Sequence, residues 1–555
     1  MQMTGAQLLI QSLLDQGVEM IFGYPGGAVL NIYDALYERK HELRHIVTSH
    51  EQGAAHAADG YARSTGKTGV VLATSGPGAT NLVTGIATAY HDSIPLIAIT
   101  GNVPTDLIGR DSFQEVDIAG ITNPITKHNY IIKDINELAD TVKEAFVIAN
   151  SGRKGPVLID IPKDITAAKA EYIKQPLFVP RKNPIPAEDD LLLALQAIEQ
   201  AQRPLIYAGG GVVFSDASQL LATFSKKISA PVCVSMMGIT SVPYNDMFYL
   251  GMIGMHGTST ANIAARDCDL LIAIGSRFSD RVAGNRNKFA ANAKILHIDI
   301  DPSEISKNVN ARLSLIGNAQ EILKVLTQRS KQKTNGEWIH KLLCHKAHNT
   351  LPSVCDDHDL NPREIITKLQ TVVGEDALIV TDVGQHQMLT AQYYPFTSSR
   401  SFISSCGLGT MGFGMGAAIG AKVGNPDRPV VLITGDGSFH MNLNELAVAV
   451  SNHIPVIILV MNNGVLGMVH QWQRLFYQGR YAYTEIRRAT DFVKLAEAFG
   501  AVGMRLGKRS EIEHTLSAAF HSGKPCVVDC TIDIKERVYP IIPPGGTEQD
   551  MIFCD

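Results

Sequence analysis

A chain of 555 residues with 45% hydrophobic and 19% charged side chains is too long for a single core, so about three globular domains are expected. Its net charge of −5, with no long basic run, excludes the sequence-independent attraction to phosphate on which nucleic-acid and anionic-membrane partners depend. No apolar run can span a bilayer, the start Met1-Gln2-Met3-Thr4 reads as neither signal nor transit peptide, and eight scattered cysteines without CxxC pairs suit a reducing cytoplasm, with no disulfide and no zinc expected.

Thr4 is placed to cap a helix over 6–16 that Gly17 ends, and 18–22 reads as a strand running into Tyr24-Pro25-Gly26-Gly27. Strands over 45–48, 69–73, 96–100 and 157–161, spaced by helical segments such as 53–63 and 79–90, predict βαβ units and a mainly parallel sheet in a first domain over 1–170. The proline- and charge-rich stretch 171–187 reads as an exposed linker. A second α/β unit over 188–330 begins with a strand at 204–207 and Gly209-Gly210-Gly211, and continues through 268–274 and 297–301. A second polar linker, 331–359, leads to a third domain over 360–555, where the strand 378–381 ends at Asp382-Val383-Gly384-Gln385-His386. The fold class expected is α/β, three domains of doubly wound parallel-sheet type.

The stretch 433–472 carries the first chemical signal. A short apolar strand over 430–433 stops at Gly435-Asp436-Gly437, where glycines allow a sharp turn and close approach of a ligand. A helix over 442–452 and a strand over 456–460 then lead to Asn462-Asn463. Both polar turns therefore lie at one sheet edge, where ligands bind in doubly wound sheets, and an Asp with an Asn carbonyl are hard oxygen donors suited to Mg²⁺ holding a diphosphate. In the first domain, His50-Glu51-Gln52-Gly53 sets a carboxylate at a helix start.

GDG followed by NN, with that glutamate, resembles the cofactor signature of thiamine-diphosphate (ThDP) enzymes. Ordered blocks along essentially the whole chain resemble the catalytic subunits of the acetolactate synthase (acetohydroxyacid synthase) family: FGYPGGA from Phe22, TSGPGATN from Thr74, FQE from Phe113, SGRKGPVLIDIPKD from Ser151, GMHG from Gly254, SRFSDR from Ser276, GLGTMGFG from Gly407 and LGMVHQWQ from Leu466. The resemblance implies pyrimidine-binding, FAD-binding and diphosphate-binding domains in that order. It also implies decarboxylation of pyruvate on ThDP and transfer of the hydroxyethyl carbanion to pyruvate or 2-oxobutyrate. That reaction is the first common step of valine, leucine and isoleucine biosynthesis.

Residue by residue, the resemblance implies that Glu51 polarises the aminopyrimidine, with Pro25 and Gly26 beside the cofactor, and that Gln114 and the Gly27 amide stabilise an oxyanion near Lys163. Asp436, Asn463 and the Val465 carbonyl would hold Mg²⁺. Gly384, Gln385, His386, Gly435, Gly437 and Ser438 would surround the diphosphate, while Gly409, Met411, Met441 and Met468 would bend and cover the cofactor. Phe113, Val469 and Trp472 match a substrate pocket, Trp472 following a Met-Val-His-Gln turn. A structural, non-redox FAD would lie against Arg153, Gly209, Gly210, Gly211, His256, Gly257, Gly275, Arg277, Arg281, Asp299 and Asn318. The sequence departs from the family pattern at Ser405-Cys406, Met415-Gly416 and Ser279. The implied partners are small 2-ketoacids, a second copy in a homodimer or tetramer with sites between subunits, and a small regulatory subunit. Competing readings are a catabolic flavin-free acetolactate synthase or a pyruvate oxidase, against which Arg277 to Arg281 and the MVHQW block argue. A catalytically silent ThDP-binding regulator would not need Glu51, Gln114, Asp436 and Asn463 together.

Overall fold

The computed structural model describes residues 2–348, 360–486 and 488–554. The first domain contains β1 (Gln2–Thr4), β2 (Met20–Gly23), β3 (Arg44–Val47), β4 (Gly69–Ala73), β5 (Leu96–Asn102), β6 (His128–Ile131), β7 (Pro156–Pro162) and β8 (Lys169–Glu171). Thr4 caps the helix Gly5–Asp15 through a capping box with Gln7. The central domain contributes β9 (Pro204–Ala208), β10 (Val232–Val234), β11 (Tyr249–Met252), β12 (Leu270–Ile274), β13 (Lys294–Asp299) and β14 (Leu313–Ile316). The third contains β15 (Leu378–Thr381), β16 (Phe402–Ser404), β17 (Val430–Gly435), β18 (Ile457–Asn462), β19 (Val502–Leu506) and β20 (Cys526–Thr531).

Each domain holds a six-stranded sheet whose neighbours pair in parallel. The first sheet runs β3-β2-β4-β5-β7-β6 and the third β16-β15-β17-β18-β20-β19, so the two share one topology. The central sheet runs β11-β10-β9-β12-β13-β14, the strand order of dinucleotide-binding folds. In every case the order reverses beside the first strand of the sheet. The crevices for ligands therefore open at the ends of β2 and β4, of β9 and β12, and of β15 and β17.

Successive strand residues point to opposite faces, and here both faces are buried. Along β17, Val430 and Leu432 join a core shared with the first domain, whereas Val431 and Ile433 join one shared with the central domain. The first and third domains meet through the helices Glu51–Thr65 and Phe413–Gly424, both nearly buried throughout. Their alanine- and glycine-rich sequences are what that contact demands: a β-carbon on Gly60 would strike the Ala417 backbone, and one on Gly416 or Gly420 the Gly53 or Ala57 backbone. The Met415-Gly416 departure thus has a packing role in this chain.

Glu445 fastens the same junction. It is fully buried, accepts the backbone N–H groups of Ser49 at 3.1 Å and His50 at 2.9 Å, and burial pushes its carboxyl up to about 7. The folded protein holds this proton more tightly than the unfolded chain, so the stability tied to the protonated form is lost as pH rises from about 4.5 to about 7. That loss amounts to about 3 kcal/mol. Glu445→Gln removes this one contribution. In urea unfolding between pH 5 and pH 8, its midpoint is expected to rise relative to the parent chain as pH increases, whereas parallel curves would contradict the buried proton.

Three expectations need correction, and one strand pairing was not expected. The stretch 442–452, predicted as one helix, holds a 3₁₀ turn, Leu443–Glu445, and a short helix, Leu446–Ser451, cut off from the preceding helix Asp436–Asn442 where Asn442 leaves helical geometry at φ −140° and gives its side-chain amide to the Gly412 carbonyl at 2.6 Å. The MVHQW segment is no turn but part of the helix Gly467–Phe476, in which Trp472 meets Phe476 one turn on, ring centroids 5.5 Å apart. The expected linker 331–359 carries the helix Gly336–His348, docked on the central domain by buried Trp338, whose indole donates to the Pro204 carbonyl at 3.0 Å. Finally, β1 and β8 pair antiparallel and close the ends of the first domain on each other, which no sequence pattern announced.

Candidate active site

At the carboxyl edge of the third sheet, a cleft of about 580 Å³ is lined by Gly384, Gln385, His386, Met411, Gly435, Asp436, Gly437, Ser438, Asn463, Val465, Met468 and Val469. Segments far apart in the chain meet there because β15, β17 and β18 are adjacent and parallel, so their exits share an edge. Asp436 is the first residue of its helix and accepts the backbone N–H of Asn463, and burial raises its carboxyl to about 6. The Asn463 side chain accepts the Val465 N–H at 3.2 Å. A buried carboxylate and an asparagine oxygen at two turns that line one cleft are a donor set for a hard divalent cation.

Around this pair the backbone is crowded in a way only glycine permits. Gly384 has φ +152°, and a β-carbon there or on Gly435 would press on the His386 ring. His386 is buried, its imidazole is pushed down to about 3 by desolvation, and its Nε2 has no partner. Gln385 is spent structurally, donating to Gln471 at 3.1 Å and to the Glu536 carbonyl at 3.0 Å. The orphaned His386 nitrogen and the start of the helix Gln385–Tyr393 both suit an anionic group. Gly409 and Met441 lie outside the lining, Gly409 on the exposed loop that ends at Met411.

In the sequence Asp382 reads only as the end of a strand, with no role in the site. Buried, with its carboxyl raised to about 6, it accepts Val383 N–H at 2.9 Å and Gly412 N–H at 2.8 Å, joining the Gly384 turn to the Met411 loop. Ile532 and Glu536 also line the cleft and carried no signal, since they lie far along the chain in an irregular stretch.

A second cluster gathers at the switch point of the first sheet. Glu51 opens the helix Glu51–Thr65 and accepts the Asn81 amide at 2.9 Å. Gly26 lies flat against Thr74, whose hydroxyl accepts the Ala28 N–H at 3.3 Å. Gln114, at φ +59°, backs onto Gly76, at φ +60°. Pro25 and Gly27 belong to the same turn, with open space where a Gly27 β-carbon would be. Lys163 stands exposed at the end of β7, and Phe113 is 88% exposed. No first-domain residue lines the third-domain cleft.

At the central switch point, Gly209 and Gly211 pack so closely on Gly275 that β-carbons would collide, a backbone reason for the triplet. His256, beside Gly257, is half-buried, with its pKa lowered to about 4 by desolvation and a buried Nδ1 that has no partner. Asp299 ends β13, accepts the Asp301 N–H at 2.9 Å, and is raised to about 6 by burial. Arg153 is held by Glu304 at 2.8 Å, the Arg277 carbonyl accepts the Asn308 amide at 2.9 Å, and Asn318 caps the helix Ala319–Arg329. Two residues expected at different ligands meet: Arg281 stands over the Trp472 ring at 5.7 Å. Trp472 packs with Met255, Tyr539 and Ile541 rather than lining the third-domain cleft.

Comparison with known proteins agrees with this layout. The descriptions "thiamine pyrophosphate enzyme, N-terminal TPP binding domain", "central domain" and "C-terminal TPP binding domain" match residues 3–121, 192–326 and 382–530. The acetolactate synthase large subunit of Haemophilus influenzae is 44% identical over 100% of this chain and 98% of its own. A probable acetolactate synthase large subunit of Methanocaldococcus jannaschii is 46% identical, covering 98% and 94%. The acetolactate synthase isozyme 3 large subunit of Escherichia coli is 43% identical, covering 99% and 98%. The chain belongs to the thiamine pyrophosphate enzymes and, among them, to the acetolactate synthase large subunits.

Proposed function

We propose that this acetolactate synthase chain decarboxylates pyruvate and joins the remaining two-carbon unit to a second 2-ketoacid, pyruvate or 2-oxobutyrate, giving 2-acetolactate or 2-aceto-2-hydroxybutyrate. The observation that carries the reading is the third-domain cleft, where Asp436 meets Asn463 beside an unpartnered His386. Thiamine diphosphate, when bound, supplies the nucleophilic carbon and the electron sink. Asp436, Asn463 and the Val465 carbonyl would hold Mg²⁺, and the Gly384 to His386 turn would hold the diphosphate. Met411 and the Gly409 carbonyl would contact the rest of the cofactor. Glu51 holds a proton at the pyrimidine edge, and Gln114 with the Gly27 N–H faces the oxygen on which charge develops. Phe113, Lys163, Met468, Val469 and Trp472 form the ketoacid pocket and its mouth. FAD lies at the central switch point, where strand order and the glycine turns suit a dinucleotide and His256 offers an unpartnered nitrogen. Purified chain given pyruvate, ThDP and Mg²⁺ should yield 2-acetolactate and carbon dioxide and show a flavin spectrum. No product under saturating cofactor overturns the reading.

The two clusters belong to one site built by two chains. A cleft lined by third-domain residues alone cannot bring Glu51 to the cofactor, and exposed apolar residues rim both halves: Tyr24, Leu30 and Phe113 on one, Leu408, Met441 and Val469 on the other. Mixing inactive Glu51→Gln with inactive Asp436→Ala subunits tests this. After random exchange roughly a quarter of sites combine two unaltered residues, so about that fraction of activity returns. Verified exchange without recovery would place the site within one chain. By analogy with relatives named large subunits, a small regulatory partner binds this chain in the cytoplasm. Among the described residues no helix is long and apolar enough to cross a membrane.

A further inference from the structure

The loop Cys406–Met411, which follows β16, is held by the first domain of its own chain. Asp92 accepts the backbone N–H of Cys406 at 2.9 Å and of Gly407 at 2.7 Å. Its carboxylate also pairs with Arg63 at 2.9 Å, and Arg63 binds Asp59 and donates to the Ser404 carbonyl at 2.9 Å. All three charged side chains are buried. Past the exposed residues Gly407 to Gly409, the Thr410 hydroxyl meets that of Thr88 at 2.8 Å, and the Thr410 N–H bonds Ser405 Oγ at 3.0 Å.

Nothing local explains Asp92. It is the last residue of the helix Val83–Asp92, where the helix dipole disfavours an anion. A buried carboxylate there is costly unless its lone pairs are filled. They are filled by one guanidinium and by two amides that belong to another domain. Arg63 carries one positive charge against two aspartates, so the two amide N–H groups supply hydrogen bonds that stand in for water at the Asp92 carboxylate, and this arrangement fixes where the loop leaves β16.

We propose that Asp92 is a positioning residue for the reaction: through the Cys406 and Gly407 amides, and locked by Arg63, it sets the loop that carries Gly409 and Met411 to the cofactor. This rests on the proposed roles of Gly409 and Met411. It also makes one helix serve two purposes, since Glu51–Thr65 presents Glu51 at its start and Asp59 and Arg63 near its end. Ser405-Cys406, where the chain departs from the family pattern, lies at the anchor itself.

Asp92→Asn keeps the shape and one acceptor but removes the charge that binds Arg63 and the second amide. In the cofactor-free dimer its Cys406 and Gly407 amides should exchange hydrogen about tenfold or more faster, while helix content and subunit assembly are unchanged. ThDP with Mg²⁺ should bind about tenfold more weakly, but pyrophosphate with Mg²⁺, which cannot reach the loop, should bind as in the parent chain. Unaltered amide exchange, or equal weakening of ThDP and pyrophosphate, overturns the positioning role. Met411→Ala separates the underlying reading: if it leaves ThDP affinity intact, the loop does not touch the cofactor, and the inference falls with that reading rather than with Asp92.

Discussion

Glu51→Gln is expected to fold and assemble like the parent chain and to lose activity by about 10²- to 10⁴-fold at saturating ThDP, the range for a lost general acid–base group. The substitution is isosteric, and Gln can keep a hydrogen bond to Asn81 by turning its amide. Helix start, burial and the contacts of Glu445 with Ser49 and His50 are untouched, so the effect isolates the charge. The measurement is steady-state acetolactate formation over a ThDP titration, with unfolding midpoints as control. A turnover near that of the parent would remove Glu51 from the chemistry and leave it as a helix-start residue.

Asp436→Ala should abolish Mg²⁺-dependent retention of ThDP while leaving unchanged the flavin binding proposed for the central domain. Without a cation the buried carboxyl is raised to about 6, so a proton and Mg²⁺ compete for it. In the parent chain, metal affinity should therefore fall as pH drops through about 6, and the variant should show no such dependence. Isothermal titration with Mg²⁺ and ThDP at pH 5.5, 6.5 and 7.5 checks both points. ThDP affinity equal to that of the parent would reduce Asp436 to a turn residue. The cofactor-free variant should be no less stable, since it loses a group whose ionised form burial disfavours.

Much of the fold was legible because the central strands of each sheet, such as β4, β5, β9, β12, β17 and β18, are compact apolar runs buried on both faces, whereas the edge strands β3, β6 and β19 carry no such pattern. Thr4 with Gln7, the glycine turns after β2, β9 and β17, and the order of helix and strand all follow from local chemistry. Where local signals competed with distant partners, the reading failed. Asn442 breaks a well-patterned helix to reach Gly412, thirty residues away, and Trp338 turns an apparently polar linker into part of the central domain.

The candidate site divides along the same line. Glu51, the GDG turn and Asn463 announce themselves by residue type and position at strand exits, and the family resemblance followed from their order. Sequence alone thus determined three α/β units and singled out the groups proposed to hold a metal and a diphosphate. Only the tertiary structure decided that Glu51 stands apart from the cleft around Asp436, and that Arg281 meets Trp472. It also decided that Asp92 and Glu445, unremarkable as letters, tie the first domain to the third. The physical reason is that a strand or turn is set by neighbours a few residues away. A buried charge is set by whichever distant group neutralises it, and that partner exists only once the domains have packed.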